Sequence, residues 1–490
     1  MRARNTLIAL VLLAGLFGFI YYYEYRGEQQ RETAEEAAKS LLTFERDKIQ
    51  SVEIQHPGGA AVTLKKETDG WSLVSPQLAA QTRADQEKVD SLLSTASFLR
   101  IEQTMTGIAE SELDGFKLKD PAARLTLKRE GQPDLTISLG DKVPVWGSYY
   151  AMKPGSADVL VISGGADGIL TADADSLRYK KVVGVDLWKV ARFSIEKGGQ
   201  VVTLKHGGGE SGGEDWMLER PVPFPADAAK TQGLWYDLQS ADAEGFESEQ
   251  PAAADLERLG LTHPRVTLTV EPKEGAAAVK VAFGSAGTPP VFYARRSDMS
   301  AVMRVKQEIV DKLEKAAGAV DDLRDARVAP VDRFKLASIT ATRAGSTAAI
   351  FKDDASKWHW GGESGPEMPD EPVNAVLDAL EAAKATGFLD TAGPGGAGEP
   401  VLTLTLRQTG QGEGSAGISI RIGPEGTAGG GGAGRKVGSS VTPTIYLVPP
   451  AEVQALLDKV AVLKAPEPAA ATAPAGAPAP TPTPAGGEPK

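Results

Sequence analysis

Apolar residues recur along the chain with two periods, which predict strands and helices in the same region. One set alternates with polar residues, as expected of half-buried strands; it consists of Val52, Ile54, Val62 and Leu64. A second set recurs at the spacing of one helical face, after Asp85 as a candidate N-cap; it consists of Val89, Leu92, Leu93 and Ala96. The region therefore predicts an α+β module with a mainly antiparallel sheet and packed helices.

This pattern occurs three times, and the repetition is the clearest organising feature of the sequence. Residues 185–199 align with 331–345 without a gap at an offset of 146, and residues 45–54 fit the same frame. Each copy then has a tryptophan after its second strand and a later strand that ends in glycine. The tryptophans are Trp71, Trp216 and either Trp358 or Trp360, and the glycines are Gly140, Gly284 and Gly423. We expect the tryptophans to be core residues.

The repeats predict three modules, at 41–185, 186–331 and 332–464. Copies one and two end alike, because Arg178 and Arg324 each follow a leucine and lie eight residues before the aspartate that opens the next copy. No linker rich in Gly, Pro or Ser separates the copies, which favours modules packed end to end as a stiff rod. Residues 465–490 are almost entirely Pro, Ala, Thr and Gly, a composition typical of a disordered spacer.

The N-terminal region has the features of a membrane anchor. Residues 7–23 carry no polar side chain apart from tyrosine hydroxyls, and ~17–25 apolar residues are needed to cross a bilayer. We assign 6–23 to a transmembrane signal anchor. A cleaved signal peptide is the alternative, although no small-residue cleavage pattern follows the apolar run. Arg2 and Arg4 favour a cytoplasmic N-terminus, which places the bulk of the chain outside.

Residues 24–40 form the connection between the predicted anchor and the first module. They are charged and rich in alanine, without glycine after Gly27 and without proline. This composition predicts a helical stalk that continues the membrane helix. The alternative is a disordered spacer, and neither carries chemistry.

Composition and charge exclude several classes of function. The 490 residues include 53 basic and 65 acidic side chains, for a net charge of −12, which argues against a general binder of nucleic acid or of anionic membranes. The chain has no cysteine, and this excludes disulfides, thiolate nucleophiles and cysteine-ligated zinc. Only four histidines occur, with no pair at metal-ligand spacing, so we predict no metal site.

Three short motifs resemble catalytic or cofactor-binding loops without the elements that such loops require. Ser211 lies in a G-x-S-x-G pattern, but strands are predicted on both sides of it, whereas a nucleophile elbow needs a helix after the serine. Residues 393–398 and 429–434 match G-x-G-x-x-G, yet neither stands between a strand and a helix as a dinucleotide loop must. We therefore predict no catalytic residue and no cofactor, and interpret the chain as not an enzyme.

Three aromatic residues that the copies do not share are candidates for contact with a partner. They are Trp146, Trp235 and Tyr236. Exposed aromatic rings can stack on sugars or anchor a partner protein. The alternative for Trp146, which lies in a predicted loop, is a small apolar cluster beneath that loop.

The combination of anchor, repeated tryptophan, glycine-ended strand, tyrosine strand and closing Leu-Arg helix resembles a bacterial family of unknown function, numbered 4340. The resemblance covers about 41–464, and copy three departs from it most, through a glycine-rich insertion at 424–438 and a short closing helix. It implies a single-pass protein of the bacterial inner membrane, grouped with auxiliary components of ABC transport systems of the gliding-motility type. The resemblance implies no catalytic residues.

The sequence therefore supports three hypotheses of different classes. The first is a non-enzymatic, membrane-anchored periplasmic scaffold beside a polytopic permease, with the ATPase on a separate chain. The second is a module that binds a cell-envelope polymer or protein through loop aromatics such as Trp146, with avidity from repeated copies. The third is a hydrolase whose site is assembled across copies, which requires converging carboxylates or histidines in a deep pocket.

Overall fold

The computed structural model describes residue 21 and the ranges 39–74, 82–144, 147–163, 165–207, 216–273, 275–390, 394–409, 417–424 and 434–463. These residues form three antiparallel sheets of nine strands each, together with helices. The predicted α+β fold of three modules with antiparallel sheets is confirmed. Modules 1, 2 and 3 are named below after the sheets that contain β1–β9, β10–β18 and β19–β27.

Module 1 opens with a 3-10 turn at Arg46–Lys48 and contains two described α-helices. Its strands are β1 (Ile49–Gln55), β2 (Val62–Glu67), β3 (Gly70–Val74), β4 (Thr82–Arg83), β5 (Ile101–Met105), β6 (Ala123–Arg129), β7 (Gln132–Lys142), β8 (Tyr149–Met152) and β9 (Val159–Ile162). Its helices are α1 (Gln86–Phe98) and α2 (Asp167–Leu170).

Module 2 opens with the equivalent turn at Leu187–Lys189. Its strands are β10 (Val190–Lys197), β11 (Gln200–His206), β12 (Trp216–Arg220), β13 (Phe224–Pro225), β14 (Gly245–Ser248), β15 (Val266–Pro272), β16 (Val279–Ala286), β17 (Val291–Arg296) and β18 (Val302–Val305). Its helices are α3 (Ala228–Ser240), α4 (Ala253–Arg258) and α5 (Gln307–Gly318).

Module 3 opens with a turn at Arg333–Lys335. Its strands are β19 (Leu336–Arg343), β20 (Ser346–Lys352), β21 (Trp358–Trp360), β22 (Glu367–Met368), β23 (Gly387–Leu389), β24 (Leu402–Gln408), β25 (Ile418–Ile422), β26 (Arg435–Ser439) and β27 (Ile445–Val448). Its helices are α6 (Asp370–Ala382) and α7 (Pro450–Val462).

The three sheets share one strand order, which in module 1 is β4-β3-β2-β1-β6-β7-β8-β9-β5. The strands before and after α1 are the two opposite edges of the sheet, so this helix carries the chain across a face of the sheet. Its apolar side turns inward, and Asp85 accepts a hydrogen bond from the backbone N–H of Lys88, as predicted for an N-cap. The buried residues of α1 are Val89, Leu92, Leu93 and Ala96.

Strand register identifies the third repeated tryptophan. In each module one tryptophan pairs with the last or the second-last residue of the preceding strand. The pairs are Lys66–Trp71, His206–Trp216 and Lys352–Trp358. Trp358 is therefore the equivalent of Trp71 and Trp216, and Trp360 is the next residue on the same face. All three tryptophans are 5% exposed or less, which confirms that they are core residues.

The chain divides into two compact units. The first comprises Met1–Gly184, Ser240–His263 and Phe283–Gln307. The second comprises Val185–Gln239, Pro264–Ala282 and Glu308–Lys490. The end of module 1 therefore lies in one unit with 240–263 of module 2, and the end of module 2 lies in one unit with module 3.

The predicted anchor, stalk and tail fall mostly outside the described residues, which at the N-terminus begin, apart from Tyr21, at Lys39. Within the described part of the chain, no helix combines the length and apolar character needed to cross a membrane. Where that part begins, the backbone N–H of Leu41 donates to Leu99 O over 3.0 Å, and Leu41 and Leu42 are buried. The chain thus enters module 1 beside Leu99 and Arg100, the two residues that precede the edge strand β5.

Candidate functional site

The segment that closes module 1 returns to the edge strand β4 and buries an arginine there. The N–H of Asp85 donates to Leu177 O over 2.9 Å, and the N–H of Tyr179 donates to Arg83 O over 3.0 Å. Between these bonds Arg178 faces Ala84 across the edge, and it is only 5% exposed. Because arginine is almost never buried unless it is paired, its partners define a specific site.

The partners of Arg178 belong to module 2. Its two terminal nitrogens donate to the two carboxylate oxygens of Glu249 over 2.5 and 2.6 Å. The guanidinium carbon lies 3.1 Å from the ring centroid of Phe246, on β14. A bidentate, stacked arginine fixes both distance and orientation, so this clamp, defined as Arg178, Phe246 and Glu249, joins the end of module 1 to module 2.

The same arrangement recurs at the end of module 2. The N–H of Asp227 donates to Leu323 O over 2.8 Å and that of Asp325 to Pro225 O over 2.9 Å, and Arg324 is 1% exposed. Its terminal nitrogens donate to the two carboxylate oxygens of Asp390 over 2.7 and 2.8 Å. The second clamp therefore joins module 2 to module 3 with the same chemistry.

Aromatic rings surround the second clamp. The guanidinium carbon of Arg324 lies 5.1 Å from the ring centroid of Phe224 and 5.0 Å from that of Phe388. Phe224 belongs to β13 of module 2, and Phe388 belongs to β23 of module 3, so the cation lies against both modules. Burial raises the pKa of Tyr446, which packs on both rings, to about 12. The tyrosine hydroxyl therefore stays protonated and adds no charge to the clamp.

Two acidic side chains beside Arg324 have pKa values shifted in opposite directions, for different reasons. Hydrogen bonds from Arg324 lower the pKa of Asp390, whose carboxylate also accepts from the Thr444 hydroxyl over 3.0 Å. Burial raises the pKa of Asp321 although it lies 3.3 Å from Arg324 Nε. That Nε has no hydrogen-bond partner among the described residues, so Asp390 is the acid that neutralises the clamp.

Within the described residues, the two halves of each clamp come from consecutive modules. The edge that receives the preceding segment is marked by the bridges Ser40–Arg100, Lys181–Asp242 and Arg327–Lys384. The second partners of these bridges are Arg100, Asp242 and Lys384. The residues four positions after them are Thr104, Phe246 and Phe388, respectively. Modules 1 and 2 therefore supply the arginine, and modules 2 and 3 supply the aromatic and acidic partners.

A second arginine strengthens the joint after module 1. Arg296, on β17 and 2% exposed, donates to Val183 O over 2.5 Å and to Lys181 O over 3.3 Å. It also forms two bonds to the Asp298 carboxylate, of 2.8 and 2.7 Å. Burial disfavours its charge, but the hydrogen bonds to Asp298 outweigh this and raise the pKa of Arg296. Module 2 thus holds the connecting segment by its carbonyl groups as well as by Arg178.

The three aromatic residues predicted as partner contacts are not equivalent in the structure. Trp146 lies outside the described residues. Trp235 is fully buried, with its ring centroid 5.1 Å from that of Phe193, whereas Tyr236 is 74% exposed. Adjacent residues of a helix project about 100° apart, so one ring enters the core and the other faces solvent. Of the candidates in the described residues, Tyr236 has a ring that is accessible to a partner. Its role in such a contact stays a prediction.

The motifs that resemble active-site loops bring no chemical groups together where they can be described. Ser211 and residues 429–433 lie outside the described residues, and Pro394–Ala397 forms a 3-10 turn. Both ring nitrogens of His56 face backbone carbonyls, and His359 lies between Gly365 O and the Asp353 carboxylate. Among the described residues no group of three potential ligands could hold a metal ion.

The clamps were missed at the level of sequence, although half of their signal is visible there. The repeated Leu-Arg pairs at 177–178 and 323–324 mark the ends of two copies. Their partners follow a repeated Gly-Phe pair, at 245–246 and 387–388, with the acid two or three residues later. A glutamate in one copy and an aspartate in the other, at different distances from the phenylalanine, conceal the correspondence.

The chain matches a known protein family. Residues 77–214 and 216–400 match the family described as "Domain of unknown function (DUF4340)". The chain belongs to this family. No curated protein and no solved structure matches it. The two matched segments agree with a repeated organisation of the chain, and the family description names no activity.

Proposed function

We propose that this DUF4340 protein is a non-enzymatic scaffold, held in the inner membrane by residues 6–23 with its modules on the periplasmic side. In this proposal it is an accessory subunit of an ABC-type transport complex of the gliding-motility kind. A polytopic permease and a separate ATPase chain are its partners, and it binds no nucleic acid and no cofactor.

The observation that supports a scaffold most directly is the pair of clamps. A buried ion pair contributes little net stability compared with apolar packing, because desolvation offsets its Coulomb energy. It does restrict geometry, since a bidentate arginine tolerates little change in distance or angle. Such a pair at the end of module 1 and at the end of module 2 suits a protein that must hold the segments on either side of each joint in a defined geometry.

In-cell crosslinking of tagged full-length protein, followed by mass spectrometry of the membrane eluate, tests this proposal. We expect a permease and an ATPase in the eluate, and a lower yield of both with the paired substitution R178A/R324A. R124A is the matched control, because Arg124 is an exposed strand residue. A clamp variant that is folded and recovers both partners at the wild-type level would contradict the role of the clamps.

A second candidate function, contact with an envelope polymer or protein through exposed rings, has support from one repeated feature. Trp188 and Phe334 occupy the same position of the opening turn in modules 2 and 3, and they are 68% and 92% exposed. The fold buries little of either ring, so packing does not require an aromatic residue there. Retention of the full-length protein on cell-wall polymer at low salt, abolished by W188A/F334A/Y236A, would favour this candidate over the scaffold.

A further inference from the structure

Module 3 has an apolar groove of about 790 Å³ beside its first hairpin. Its lining includes Ala341, Ala348, Trp360, Pro366, Val460 and Leu463. These residues come from β19, β20, β21, the loop before β22 and the end of α7. The volume is in the range of sites that bind ligands. The lining is mainly apolar and contains one large ring, but it also includes Arg343, Ser346 and Thr347, so it suits a segment that combines small apolar residues with charged ones.

Modules 1 and 2 fill the corresponding space with larger side chains. Cross-strand register makes Ala341–Ala348 the equivalent of the pairs Ile54–Val62 and Ile195–Val202. All four of these larger residues are 5% exposed or less. Each replacement by alanine removes methyl groups from the core-facing side of the hairpin, so module 3 has room there that the other modules lack.

The groove also lies where module 3 differs from the others in its closing segment. In modules 1 and 2 the chain after the last helix returns to the edge strand β4 or β13 through Leu177 and Leu323. In module 3 the corresponding edge is β22, and no closing segment among the described residues pairs with it. The described chain ends at Leu463, which is itself 3% exposed and lines the groove.

We propose that the groove of module 3 binds the first residues of this chain's own C-terminal segment, 464–470. These residues would close module 3 as the Leu-Arg segments close modules 1 and 2. The segment has no arginine, so it closes the module without offering a clamp to a further one.

The composition and the tether both favour this occupant. Residues 464–470 are Lys, Ala, Pro, Glu, Pro, Ala and Ala, and proline-containing segments dock in aromatic-lined grooves because their extended form loses little entropy on binding. The segment follows Leu463 directly, so its effective concentration at the groove exceeds that of a segment from another molecule.

The absence of cysteine from the chain allows a direct test in the full-length protein. A348C places a single thiol in the groove, and its rate of labelling by a maleimide reports whether the groove is covered. Adding A465D/A469D should release the segment. The substitutions put two further carboxylates beside Glu467, at positions where the docked segment presents alanine, and an unpaired carboxylate is disfavoured in an apolar site. We expect labelling to become at least roughly tenfold faster, which corresponds to docking worth about 1.4 kcal/mol or more.

The matched control is A348C with A479D/A485D, which adds the same charges further along the tail and should leave the slow rate unchanged. Circular dichroism of each variant checks that module 3 remains folded. Equal labelling rates in all three proteins would overturn the proposal. Protection that disappears on dilution would also overturn it, since the occupant would then be the tail of a second copy.

Discussion

Arg178 and Arg324 place a full positive charge at 5% and 1% exposure, at the end of modules 1 and 2. Such a charge is tolerated only because carboxylate and aromatic partners surround it. At the scale of the residue, the consequence is an asymmetry between removing one partner and removing both. Truncating one partner leaves the other as an unpaired buried charge, whereas replacing both partners with apolar residues of similar size leaves no buried charge.

R324A should lower the free energy of unfolding by about 3 kcal/mol, the lower end of the range for a broken buried ion pair, since Asp390 is 32% exposed on its side chain. The double substitution R324M/D390M should restore most of that loss. Urea unfolding followed by circular dichroism measures both. A double variant as unstable as R324A would show that the arginine acts through its packing and not through its charge.

The clamp also predicts a dependence on pH. Because Arg324 lowers the pKa of Asp390 below its usual value of 3.8, the folded state binds the proton less readily than the unfolded state. The resulting stability is complete above the unfolded pKa and is lost as pH falls below about 4 towards the folded pKa. D390N should therefore flatten the change in urea midpoint between pH 6 and pH 3, whereas E399Q, at an exposed position, should not.

At the scale of the element, the repeated glycine near the end of one strand in each module has a steric cause. A Cβ on Gly140, Gly284 or Gly423 would lie 2.1 Å from Phe116 O, 2.4 Å from Leu259 O or 2.1 Å from Ala397 O, respectively. Each of those carbonyl groups belongs to the backbone of a preceding turn, which cannot move without moving the turn. Glycine at this position lets the strand and the turn approach closely.

G284A should therefore destabilise the protein, at the upper end of the roughly 1–3 kcal/mol seen for overpacked sites. G233A is the matched control, because a Cβ there meets nothing within 4 Å and Gly233 lies within α3. Alanine in a helix interior should stabilise by about 0.5–1 kcal/mol. Thermal unfolding should move in opposite directions for the two variants, and a shift of the same sign would refute the steric explanation.

At the scale of the whole molecule, the sequence predicted the α+β class, the three modules and the buried tryptophans, because those features rest on local period and on repetition. It left the choice between Trp358 and Trp360 open, since two tryptophans on one strand face are resolved only by register. The clamps were not predicted, because the partners of Arg178 lie 68 and 71 residues away. A single sequence shows the repeated Leu-Arg and Gly-Phe pairs, but it carries no signal that they contact one another.

The orientation of the molecule in the membrane is the remaining prediction, and the cysteine-free chain makes it testable. If residues 6–23 are an uncleaved anchor with a cytoplasmic N-terminus, a thiol introduced by K490C faces the periplasm, and one introduced by N5C does not. A membrane-impermeant maleimide should label K490C in intact spheroplasts and N5C only after lysis. Labelling of K490C only after lysis would place the modules inside the cell, and an N-terminus found beyond residue 23 would identify a cleaved signal peptide instead.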